Sequence, residues 1–128
     1  MRRLLLPPSV LALVAGVTLA VSSCLSPTLP LPPPEQPDTV QPGTDAGTWQ
    51  VFGTCDAGAI VTVFDETTGM GVVVEDRAMT GKYVVILAGS ECDSAWVRES
   101  FQDEESSPTT FVLTTYSPND PIGSPTCQ

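Results

Sequence analysis

Four cysteines and three runs of neighbouring carboxylates carry the chemical potential of this chain: Cys24, Cys55, Cys92 and Cys127, and Asp65-Glu66, Glu75-Asp76 and Asp103-Glu104-Glu105. Adjacent carboxylates are what acid–base cleavage of a glycosidic bond requires. Thiols can be acylated, paired as disulfides or bound to metal. The 128 residues contain no histidine, so the commonest general base and catalytic metal ligand is missing. No Cys-x-x-Cys spacing marks a zinc site, and no D-x-D-x-D-G run marks a calcium loop. The acidic runs fall at expected turns and strand ends, where carboxylates ordinarily face water. The expectation is no catalytic residue, no metal and no cofactor. With fifteen acidic residues against five basic, the net charge of −10 also argues against nucleic acid as a partner, because phosphate binding needs clustered Lys and Arg.

Each of these residues depends on the segment that carries it. Cys24 closes a leader that begins with Arg2-Arg3 and continues as an apolar stretch to Val21, interrupted at Pro7-Pro8. The uninterrupted part, Val10 to Val21, is too short to span a bilayer as a helix. A positive start, a short apolar region and small residues before a cleavage point are the layout of a secretory signal, expected over residues 1–23. Val21-Ser22-Ser23-Cys24 resembles the lipobox of bacterial lipoproteins. That resemblance implies diacylglyceryl transfer to the Cys24 thiol, cleavage just before it and acylation of the new amino terminus. The implied partner is the membrane, reached through the lipid. Leu25 stands where an inner-membrane retention signal would have Asp, which points to the outer membrane of a cell envelope. Without the leader, Arg77, Lys82 and Arg98 face all fifteen acids, a net charge of about −12.

Residues 24–47 have linker composition, with Pro27, Pro30, Pro32, Pro33, Pro34, Pro37 and Pro42 among Thr, Gln and Asp. Proline lacks the N–H of helix and central strand, so polyproline II is expected. At about 3.1 Å per residue, such a spacer reaches on the order of 60 Å.

From Thr48 the pattern becomes period-two alternation between turn residues, the signature of half-buried strands. Strands are expected at Trp49–Thr54, Ala59–Asp65, Gly71–Asp76, Lys82–Ala88, Ala95–Glu99 and Thr109–Thr115. Their spacing predicts an all-β fold, a small antiparallel sandwich over residues 48–116, with an irregular tail over 117–128. One face of each strand supplies the expected core: Val51, Gly53, Ala59, Val61, Val63, Val72, Val74, Tyr83, Val85, Leu87, Ala95, Val97, Phe111 and Leu113. The opposite faces carry Phe52, Phe64, Val84, Ile86 and Trp96. These are too apolar for a wholly solvated exterior, so they are either covered or left open to a partner. Trp96 beside Arg98, with Phe64, is the expected anchor of a partner-binding site.

Val51-Phe52-Gly53-Thr54, Asp56-Ala57-Gly58-Ala59-Ile60-Val61-Thr62-Val63-Phe64-Asp65 and Thr80-Gly81-Lys82-Tyr83-Val84-Val85-Ile86-Leu87 together resemble bacterial immunoglobulin-like repeats. A similar pattern occurs in transthyretin-like domains. The resemblance implies a spacer, adhesin or binding module with a protein or glycan partner in the envelope. It also implies a Gly-Asn turn where this chain has Asp103-Glu104, and hence a longer or more open turn here.

If Cys24 is acylated, Cys55, Cys92 and Cys127 form an odd set in an oxidising compartment, which predicts one bridge and one free thiol. A Cys55–Cys92 bridge would close a long loop in a small domain. Counting strand directions, however, puts Cys92 and Cys127 at one end and Cys55 at the other. Both pairings are open at this level. The function expected is display of one domain for binding or assembly in the envelope; the alternative is a passive spacer or surface coat.

Overall fold

The computed structural model describes residues 29–120 and Cys127. The leader, Cys24 and the rest of the tail lie outside the described residues. The fold is all-β. Among the described residues, eight strands form two antiparallel sheets: β1 (Thr39–Pro42), β2 (Thr48–Thr54), β3 (Ile60–Asp65), β4 (Met70–Glu75), β5 (Lys82–Ala88), β6 (Ser94–Phe101), β7 (Glu104–Glu105) and β8 (Thr109–Val112). One sheet has the order β1-β2-β5. The other has the order β4-β3-β6, with β7 and β8 both on the far side of β6. The chain therefore passes between layers after β2, β4 and β5.

Alternation decides which side chains meet between the layers. Val51, Val61, Val63, Val85, Leu87, Ala95, Val97, Phe111 and Leu113 point inward and are buried, as the pattern predicts. Val72 and Val74 on the edge strand β4 pack against this core and are only partly covered. Gly53 has a steric duty. It pairs across the ladder with Tyr83, and a Cβ at Gly53 would run into the Tyr83 ring.

The layers are joined at two ends. The β2–β3 and β4–β5 loops and the β6–β7 turn lie at one, which we call the Cys55 end. The β1–β2, β3–β4 and β5–β6 loops lie at the other, the Cys92 end. Cys92 and Cys127 are bonded there, with Cα atoms 5.1 Å apart, and Cys55 is free. The observed pairing is the one that counting strand directions allows, and the Cys55–Cys92 alternative is excluded because the strands hold those residues at opposite ends.

Three expectations need correction. The linker does not run to residue 47, because Thr39–Pro42 forms β1 and Val40 is fully buried in the core. An edge strand tolerates Pro42, whose missing N–H costs no central ladder bond. The segment before it is docked as well. Pro34 and Pro37 are buried, the Thr109 hydroxyl donates to the Pro34 carbonyl, and Gln36 Nε2 donates to the Thr110 carbonyl at 3.3 Å. Second, β8 stops at Val112 rather than Thr115, because the chain then crosses to the other sheet. Tyr116 exchanges two 3.0 Å backbone bonds with Val40 along the outer edge of β1. Third, the β6–β7 turn is tight. Gln102 and Asp103 both take positive φ, 50° and 66°, between the paired residues Phe101 and Glu104. That is the two-residue mirror-image turn which suits strand twist, made here without glycine.

Two outcomes follow for denaturant unfolding. Gly53→Ala should cost about 1–3 kcal/mol by forcing Tyr83 from its place. Cys92→Ser should cost up to about 4 kcal/mol, since the bond closes a 35-residue separation. Cys55→Ser should cost much less.

Candidate functional site

Phe64 on β3 and Trp96 on β6 occupy paired positions of adjacent strands, both directed away from the core. Their rings stack with centroids 5.2 Å apart and planes 26° from parallel. Arg98 lies two residues beyond Trp96 and so on the same face. Its guanidinium carbon sits 5.5 Å from the Trp96 ring centroid, and its Nη1 meets Glu105 Oε2 of β7 at 3.2 Å. The three residues singled out from the sequence are therefore brought together. With Glu105 they form a row across the outer face of one sheet: Phe64, Trp96, Arg98, Glu105.

Gly71 of β4 faces Phe64 across the ladder. A Cβ there would lie 2.8 Å from the Phe64 ring, so the ring covers the bare backbone of the edge strand. Ile60 and Val73, 42% and 64% exposed, add apolar surface to the same face. Aromatic stacking contributes about 0.5–1.5 kcal/mol and an exposed cation–π contact about 0.5–1. The Arg98–Glu105 pair, in water, contributes little beyond orientation. Such a row can receive a flat apolar surface or the face of a sugar ring on Trp96. An acceptor on the ligand would compete with Glu105 for Arg98.

The outer face of the other sheet is also apolar, with Phe52 beside Val84 and with Ile86 next along β5. Val84 and Ile86 are 51% and 56% exposed. Those residues were legible as a second face, and the structure leaves them open.

The acidic runs divide: Glu66, Glu75, Asp103 and Glu105 are exposed as expected, whereas Asp65 and Asp76 are buried. Glu99, outside the runs, is buried too. Asp65 Oδ1 accepts from the backbone N–H groups of Thr67 and Thr68, at 2.7 and 3.1 Å, and so builds the β3–β4 turn. Asp76 holds the Cys55 end together. Its carboxylate accepts from the N–H groups of Thr80, Gly81 and Gly58 and from the Thr80 hydroxyl, tying the β4–β5 loop to the β2–β3 loop. Led by the Thr80 backbone bond, these donors hold its pKa below the ordinary carboxylate value despite burial. Among the described residues the Glu99 carboxylate accepts only from the Asp56 N–H, and burial raises its pKa. What the acids do here is organise turns. The signal was present in Asp65-x-Thr67-Thr68 and Asp76-x-x-x-Thr80-Gly81, both spacings in which a carboxylate reaches nearby amides.

Cys55 is half-buried beside these acids. Burial, then the charges of Asp76, Glu99 and Asp56, push its thiol up to about 11. At neutral pH it is a protonated thiol and a poor nucleophile. Among the described residues no three carboxylate or thiol groups are arranged to hold a metal ion, and no helix is long and apolar enough to cross a membrane. Comparison with known proteins found no matching family model, curated protein or solved structure.

Asp76 and Glu99 predict opposite pH behaviour. Asp76 has a lowered pKa, so its contribution is present above the ordinary carboxylate value and is lost as pH falls through the folded-state value. Asp76→Asn should therefore melt below the parent at pH 7, with the gap closing in acid. Glu99 has a raised pKa, so ionising it at neutral pH opposes folding. Glu99→Gln should melt above the parent at pH 7, and that gap too should close in acid. Thermal melts across pH 3–7 check both signs.

Proposed function

We propose that this protein is a bacterial envelope lipoprotein, anchored through acylated Cys24, that displays one immunoglobulin-like sandwich for binding or assembly with an envelope partner. The observation that carries the binding half is the outward row Phe64–Trp96–Arg98, an ordered aromatic surface with a cation at its edge. Aromatic and Arg side chains are enriched among the residues that dominate interface energetics, and Trp buries much area with only two rotors. The anchoring half is supported by the order of charge, short apolar stretch and Val21-Ser22-Ser23-Cys24. With an acidic body of about −12, lipid rather than a basic patch is the means of attachment. The partner is a protein or glycan of the outer-membrane envelope.

A second reading, a passive spacer or surface coat, is favoured by one feature. The row satisfies itself, since Phe64 covers Gly71 and Glu105 pairs with Arg98.

Cross-linking on intact cells separates the two. Under the binding reading, Trp96→Ala should weaken capture of a cross-linked partner roughly 30-fold, as for a centrally placed anchor worth about 2 kcal/mol. The loss of folding stability should stay within about 2.5 kcal/mol, the worth of the aromatic pair and the cation–π contact together. Loss of stability without any lost partner would leave the spacer reading. For the anchor, Cys24→Ala should abolish incorporation of labelled acyl chains and release the protein from the membrane fraction; retention there would end the lipoprotein reading.

A further inference from the structure

We propose that the anchored domain stands close to the bilayer in one orientation, with its Cys55 end toward the membrane and its Cys92–Cys127 end pointing away. This rests on the acylation of Cys24 proposed above.

The length of free tether sets the distance. The chain is fixed to the sandwich from Pro34, whose carbonyl accepts from Thr109, and it stays fixed through Gln36 and Asp38, whose N–H donates to the Phe52 carbonyl at 2.8 Å. Nine residues, 25–33, separate Cys24 from Pro34. Those ten residue steps would reach about 31 Å at a polyproline II rise and no more than about 36 Å fully extended. That is roughly half the reach the linker composition implies.

The direction of β1 sets the orientation. Thr39 pairs with Phe52 near the Cys55 end and Pro42 pairs with Trp49 toward the Cys92 end, so the chain enters at the Cys55 end and runs away from it. Pro32, Pro33 and Pro34 line one pocket with Thr54, Cys55, Asp56 and Glu99 at that same end. Seven-residue strands make the sandwich about 23 Å from end to end. Facing the membrane with the Cys92 end would require the tether to double back along that length, which consumes most of it.

A partner would then meet the side wall bearing Phe64, Trp96 and Arg98, or the far end closed by the disulfide.

Energy transfer to vesicles measures the orientation. The acylated full-length protein, in a Cys55→Ser background, carries a donor dye at Ala57→Cys or at Ala46→Cys, both exposed and at opposite ends. It is placed on phosphatidylcholine vesicles with acceptor-labelled headgroups. Transfer should be several-fold more efficient from position 57 than from position 46. Equal or reversed efficiencies, with the acyl chain confirmed on Cys24 by mass spectrometry, would overturn the orientation alone. Protein recovered without an acyl chain on Cys24 would overturn the anchoring reading and this one with it. Gln36→Ala combined with Thr109→Ala frees more tether and should shrink the difference. An undiminished difference in that variant would overturn tether docking as its cause.

Discussion

The structure depends on one constraint: each of two small antiparallel sheets has an apolar face that can leave water only by covering the other. Val40, Val51, Val61, Val63, Leu87, Val97 and Leu113 are fully buried between the layers, and they come from both sheets. Because strand side chains alternate, every inward valine commits its neighbours to the outside. Phe64 and Trp96 are outward because Val63, Asp65, Ala95 and Val97 are inward. The surface proposed for a partner is thus a geometric consequence of the core. A one-residue slip of β3 or β6 would bury the aromatic row and expose the valines.

The same closure explains how a strongly acidic chain is organised. Most carboxylates remain in water, but Asp65, Asp76 and Glu99 are drawn to the ends of the layers, where turns leave backbone N–H groups without ladder partners. An unpaired amide in a covered position is costly, and a carboxylate oxygen is a strong acceptor for it. Asp76, with four donors, is well compensated. Glu99, with one, is not, and the opposite displacement of their pKa values records that difference.

Much of the fold was legible in the residues. Five of the six strands expected from alternation have ends within two residues of the observed ones, and β8 begins at Thr109 as expected. Phe64, Trp96 and Arg98 were identifiable as outward neighbours because period-two spacing orders a single strand. Their stacking was not readable, since it needs the β3–β6 register. β1 was hidden by its composition. Thr39-Val40-Gln41-Pro42 has one apolar residue and lies among prolines, so no periodicity reveals it; only the exposed edge of β2, waiting for a partner, makes it a strand. The left-handed pair Gln102-Asp103 was equally hidden, because neither residue is one that ordinarily advertises positive φ as strongly as glycine.

By itself, the sequence determined the all-β class of the domain, the inward and outward sets on the strands that alternation reveals, and a count of strand directions that left two cysteine pairings open. These follow from local alternation and from counting turns. Tertiary structure alone decided that Cys92 bonds Cys127, that three acids turn inward and that the proline-rich segment docks from Pro34 onward. Each of those depends on residues far apart in the chain meeting across a gap that only the two facing sheets create. The reach of the tether is the clearest case: composition sets the length of chain, but the sandwich sets how much of it is free.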